Sequence, residues 1–133
     1  MHRRTLHLTV LLLGLTLFAG AASAGEKALM HCFYFTVIQD ASEADWDAFK
    51  KATDELPGKI PGFNKVWHGK LRSPYNNYNS SGDKSVREHG VCMSFDDRAA
   101  LGVYADHPAH SEWVKVYEKV RQRGTSTFDI LGN

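Results

Sequence analysis

The chain has 133 residues, 43 % of them hydrophobic, with 16 Lys plus Arg against 15 Asp plus Glu. So even a balance leaves no basic stripe to neutralise phosphates, which argues against a nucleic-acid partner. Two cysteines are too few for a disulfide-framework fold, and neither stands at metal-ligand spacing.

The first elements read as a targeting segment. His2, Arg3 and Arg4 make a basic start, Val10 to Phe18 is almost wholly apolar, and Ala22-Ser23-Ala24 offers a small-x-small cleavage site before Gly25. This layout predicts a secretory signal peptide over 1–24, with an uncleaved N-terminal anchor as the alternative; the apolar run is short for a membrane span. Without Arg3 and Arg4, 14 basic residues face 15 acidic ones, a net charge of −1. Residues 25–133 are then expected to form one exported domain, periplasmic or extracellular, with no membrane association after cleavage.

Residues 29–38, Leu-Met-His-Cys-Phe-Tyr-Phe-Thr-Val-Ile, are rich in aromatic and β-branched types and predict a first strand. His31, Phe33, Phe35 and Val37 share one face; Cys32, Tyr34, Thr36 and Ile38 share the other. Both faces are largely apolar, so the strand is expected to be covered on both sides, by helices on one and by something else, such as a second subunit, on the other. Ser42 and Asp45 stand close to a capping-box pattern. Trp46, Phe49, Thr53 and Leu56 recur at helical spacing, which predicts a helix over 43–56 that stops before Pro57-Gly58.

Pro61-Gly62 is a turn, and Phe63 to Leu71 alternates as a second strand. Residues 72–85 hold Pro74, several Asn and Ser, and Gly82 without a period, and read as a long polar loop. Arg87 to Phe95 predicts a third strand with His89, Val91, Met93 and Phe95 on one face. Asp96-Asp97 caps a short helix over 97–105 carrying Ala100, Leu101 and Tyr104. His107 is expected to cap the next helix, which Pro108 opens in its natural first-turn place. That helix runs to about 121 with the stripe His110, Trp113, Val114, Tyr117 and Val120. Thr125 to Leu131 is a last strand.

The order β-α-β-β-α-α-β predicts an α+β sandwich of the ferredoxin-like, split β-α-β kind: a four-stranded antiparallel sheet in the order 4-1-3-2, with helices on one face. The first and third strands are then neighbours. Cys32 and Cys92 read either as two small buried apolar residues or as a cross-strand disulfide, which needs a register bringing their Cα atoms within about 7 Å.

His31 at the head of the aromatic strand, Pro61, Gly69 and the run from Phe95-Asp96-Asp97 through Ala100-Leu101 and Tyr104 to His107-Pro108-Ala109-His110 resemble the stress-responsive A/B barrel (Dabb) family of the dimeric α+β barrel superfamily. The resemblance spans nearly all of 29–131, and its Tyr-x-x-His-Pro-x-His stretch is the most specific part. It implies a homodimer whose sheets face one another to close a barrel. In plant polyketide cyclases of the family the positions matching His31, Tyr104 and His110 line the pocket; a tyrosine of their first helix falls where Thr53 stands here.

These features point to three functions. The leading one is binding of a small apolar or aromatic molecule in a His/Tyr-lined pocket walled by Phe33, Phe35, Trp46, Phe49, Thr53, Val91 and Trp113. The second is a cofactor-independent lyase or cyclase in which His110 is the general base, His31 polarises or holds a carbonyl, and Tyr104 donates to developing oxyanion charge. The third is a structural dimer module without a ligand. No cofactor and no metal site are expected: the remaining histidines, His68 and His89, read as strand-face residues, and no carboxylate-and-histidine helix motif, Gly-rich phosphate loop or nucleophile elbow appears.

Overall fold

The structure, a computed structural model, describes residues 27–132. The expected signal segment 1–24 lies outside the described residues. No helix among the described residues is long and apolar enough to cross a membrane.

Seven elements follow in chain order: β1 (Leu29–Phe35), α1 (Glu43–Asp54), β2 (Phe63–Tyr78), β3 (Lys84–Phe95), α2 (Arg98–Asp106), α3 (Pro108–Tyr117) and β4 (Ser126–Leu131). The sheet is antiparallel in the order β2-β3-β1-β4, the expected order read from the other edge. Alternation decides its two faces. Phe35, Met93 and Phe95 go under the helices and are fully buried, where they meet Phe49, Leu56 and Val120. Cys32, Tyr34 and Trp67 go to the outer face.

The helices start where the sequence supplies caps. The Ser42 hydroxyl accepts from the Asp45 backbone N–H at 3.1 Å and donates to its carboxylate at 2.6 Å. Asp97 accepts from the Ala100 N–H at 2.8 Å. The Gly62 turn, at φ 74°, lies so close under α2 that a Cβ there would sit 2.5 Å from the Ala100 Cβ. Glycine is required twice over, by conformation and by space.

Three expectations are corrected. The polar stretch 72–85 is not a loop. It continues the β2–β3 hairpin as far as Tyr78 and Lys84, and the Asn79 side chain closes the turn by accepting from the N–H groups of Ser81 and Asp83 at 3.0 and 2.8 Å. Strands without a buried face have no reason to alternate, so the pairing leaves no period to read. Pro74 falls within a register shift between Lys70 and Tyr75, where its missing N–H is tolerated. The last helix stops at Tyr117 rather than 121. β1 stops at Phe35, after which the chain pairs with the turn that follows α3: Ile38 N–H to the Val120 carbonyl at 2.9 Å and Gln122 N–H to the Thr36 carbonyl at 2.8 Å.

Cys32 and Cys92 are direct partners across β1 and β3, with Cα atoms 4.1 Å apart, and are joined by a disulfide. The reading as two unbonded apolar residues does not hold, because the register sets the two side chains against each other on one face of the sheet.

Candidate functional site

The site grows from the corner between α2 and α3. The last carbonyls of a helix have no partner within it. At the end of α2 the Ala105 carbonyl receives the His110 Nδ1–H at 3.1 Å. His107 ends α2 and begins α3, its Nδ1 accepting from the Ala109 N–H at 3.1 Å, and Pro108 opens the new helix. The corner packs the rings of Tyr104 and His110 together, tilted by 39° with centroids 4.3 Å apart. From the sheet below, β1 brings the His31 ring to 6.2 Å from Tyr104. The three residues chosen from the sequence therefore line one cavity of about 430 Å³ between the sheet and α2–α3.

The bonding partners fix the imidazoles. A carbonyl oxygen only accepts, so neutral His110 carries its proton on Nδ1 and leaves Nε2 with a free lone pair. His31 stands opposite Asp129 across β1 and β4, and its Nδ1 lies 2.6 Å from Asp129 Oδ1. An ionised carboxylate also only accepts, so Nε2 is again the free nitrogen. Between the two rings sits Tyr104, 4 % exposed, whose burial, with the Tyr117 phenol nearby, raises its hydroxyl well above the ordinary tyrosine range. It stays a protonated donor.

The expected wall is only partly correct. Phe33 and Trp113 line the cavity. Phe35, Thr53 and Val91 are 0 %, 0 % and 1 % exposed core residues. Thr53 accepts from the Trp113 indole N–H at 2.9 Å and donates to the Phe49 carbonyl at 2.6 Å, so its hydroxyl is used up inside the fold. Trp46 and Phe49 face a separate small cleft with His68 and His89, because α1 crosses the far end of the sheet. There Trp46 packs on His89 with centroids 4.7 Å apart, and burial lowers the affinity of His89 for a proton. His68 is held by Asp54 at 2.9 Å.

Other residues of the site were not read from the sequence. Asp129 escaped because its role depends on the β1–β4 register. Tyr117 and Arg121 extend the wall beyond Trp113, with the Arg121 guanidinium 4.7 Å over the Tyr117 ring. The Tyr117 hydroxyl bonds Thr125 at 3.0 Å; burial pushes its pKa up to about 12 against that bond and the charges of Arg121 and Arg87. The stripe His110, Trp113, Tyr117 carried the signal for this wall, and its continuation to Arg121 was visible only as the end of a helix. Among the described residues no group of three or more His, Cys, Asp or Glu is placed to hold a metal ion.

The outer face of the sheet holds another depression, about 500 Å³, floored by the disulfide and walled by Tyr34, Trp67, Tyr75 and Phe128. It is larger than the helix-side cavity but lacks the convergence of imidazoles and phenol.

A family model described as Stress responsive A/B Barrel Domain matches residues 29–130. Solved structures of similar shape include a Dabb family protein with a ferredoxin-like fold from Mesorhizobium loti (19 % identity, 81 % of this chain and 99 % of that one, TM-score 0.62). A hydroxynitrile lyase from Passiflora edulis matches at 14 % identity over 80 % of this chain and 94 % of that one, TM-score 0.62. A dimeric ferredoxin-like protein of unknown function from Bacteroides fragilis matches at 21 % identity over 80 % and 98 %, TM-score 0.58. At these identities the likeness speaks for the fold alone. No curated protein matches the chain.

Proposed function

We propose, from the premise that the chain belongs to the stress-responsive A/B barrel (Dabb) family, that the helix-side cavity takes up a small aromatic or apolar carbonyl compound and moves a proton on it without a cofactor, as a lyase or cyclase does. One observation carries this reading: the Ala105 carbonyl holds the Nδ1–H of His110, so the neutral ring keeps a free Nε2 lone pair beside a buried phenol. That is a base with an orienting partner next to an oxyanion donor.

His110 takes the proton and Tyr104 donates to the oxygen that gains charge. The part given to His31 changes. While neutral, with Nδ1–H on Asp129, its Nε2 has no proton to offer a carbonyl. His31 Nε2 is therefore an acceptor for a substrate hydroxyl, and the proton that His110 takes returns to the product from the His110 imidazolium. The hydroxynitrile lyase on the same fold supports this class of chemistry by analogy only.

A simple binding role is favoured by a different observation, the apolar wall of Phe33, Leu101, Trp113 and Val114. The two readings separate on a panel of aromatic cyanohydrins and β-hydroxy ketones. Wild type is expected to turn over at least one compound, and His110→Gln to lose about 100-fold or more of that rate while still binding it. Unchanged turnover in His110→Gln removes it as the base. Binding without turnover by wild type leaves the binding role.

The basic start, apolar run and Ala22-Ser23-Ala24 support export with cleavage before Gly25, and the Cys32–Cys92 disulfide supports an oxidising destination. Protein recovered from periplasm or medium should begin at Gly25 by mass; retention in the cytoplasm with residues 1–24 intact would refute this. A homodimer closed over the outer sheet face completes the proposal, in line with a neighbour described as dimeric.

A further inference from the structure

We infer that the Arg121 end of the cavity is a carboxylate subsite, so that the molecule taken up is an aromatic or acyl acid with its reacting carbonyl at His110 and Tyr104. The inference rests on the cavity being a small-molecule site and adds the class of molecule.

Arg121 lines the same cavity as His110. Its side chain is 19 % exposed, yet its bonding is poor: Nη2 reaches the Glu118 carboxylate at 3.4 Å, and that carboxylate is itself 60 % exposed. Nη1 lies 3.5 Å from Thr125 Oγ1, and Nε is buried without a partner. A second guanidinium stands behind it. Arg87 is 5 % exposed, donates from Nη1 to Thr36 at 2.9 Å, and also has a buried Nε without a partner. Its Nη2 backs onto Gly124, 3.4 Å from where a Cβ would stand. Two guanidiniums thus converge on the turn after α3, and among the described residues the one ion pair that either makes is the long contact of Arg121 with the exposed Glu118.

Buried positive charge left in this state is costly, and a guanidinium fork matches a carboxylate in shape and charge. Asp129 is engaged by His31 and does not line the cavity, and none of the residues that do carries a carboxylate. His110, Val114 and Tyr117 follow one another at helical spacing along a single wall, and Arg121 extends it from the turn just after α3. At 1.5 Å of rise per residue the helical part from His110 to Tyr117 is about 10 Å long, and Arg121 lies beyond its end. An acid group at Arg121 and a carbonyl at His110 are then joined by an apolar spacer lying along Trp113 and Tyr117.

The test uses 6-oxo-6-phenylhexanoate and its methyl ester, followed by calorimetry and by NMR shifts of the cavity residues. Wild type should bind the acid about tenfold or more tighter than the ester, the scale of one charge-assisted contact. Arg121→Gln should abolish that preference, the acid weakening about tenfold more than the ester, and the dispersion of the NMR spectrum reports that the variant is folded. Glu118→Gln, which frees the guanidinium from its competitor, should tighten the acid by about two- to threefold. If Arg121→Gln loses the ester as well, Glu118→Gln decides, and an unchanged acid affinity in that variant overturns the inference. Equal affinity of wild type for acid and ester overturns the subsite and leaves the pocket standing. Neither compound shifting any cavity residue at millimolar concentration overturns the pocket and the subsite together.

Discussion

A buried hydroxyl and a buried indole N–H each need a partner, and Thr53 and Trp113 supply one another at 2.9 Å. Thr53→Val keeps the side-chain shape and removes the acceptor. The Trp113 N–H, on a side chain 4 % exposed, is then left without a bond. We expect a loss of about 1–3 kcal/mol in urea unfolding; a change under about 0.5 kcal/mol would show that the bond does not hold the ring. His31, Tyr104 and His110 were legible because three polar groups stood where a strand face and two helix stripes call for apolar core. Asp129 was not, since nothing local ties it to a residue at the other end of the chain.

At the scale of elements, the α2–α3 corner shows how local chemistry places a site. His107 is shared between two helices, Pro108 cannot continue the first, and the carbonyl freed at Ala105 captures the ring of His110. Pairing between β1 and β3 sets Cys32 on Cys92, and the bond closes a loop with a sequence separation of 60. Reduction, or the double change Cys32→Ala with Cys92→Ala, should lower stability by about 2–4 kcal/mol in denaturant titration. Equal midpoints for oxidised and reduced protein would refute that contribution. The β2–β3 arm was the element least legible in the sequence. A hairpin exposed along most of its length is held mainly by backbone pairing and is written in the same polar residues as a loop.

For the whole molecule, the outer sheet face sets the largest question of assembly. Trp67, Tyr75, Phe128 and Ile130 are 45 %, 50 %, 42 % and 52 % exposed in a single copy, an apolar surface of the kind that a second subunit covers. Light scattering at micromolar concentration should give twice the chain mass, and Trp67→Glu should shift it to one. A wild-type monomer would leave that face without its proposed cover. The sequence by itself determined the element order, the inward face of each strand, the helix caps and the trio of pocket residues, because periodicity and capping are properties of near neighbours. Only the tertiary structure decided that Cys32 meets Cys92, that Asp129 holds His31, that Thr53 serves Trp113 instead of a ligand, and that Arg121 lines the end of the cavity. Each of those depends on strand register or helix crossing, where residues far apart in the chain are set against one another by the packing of the whole.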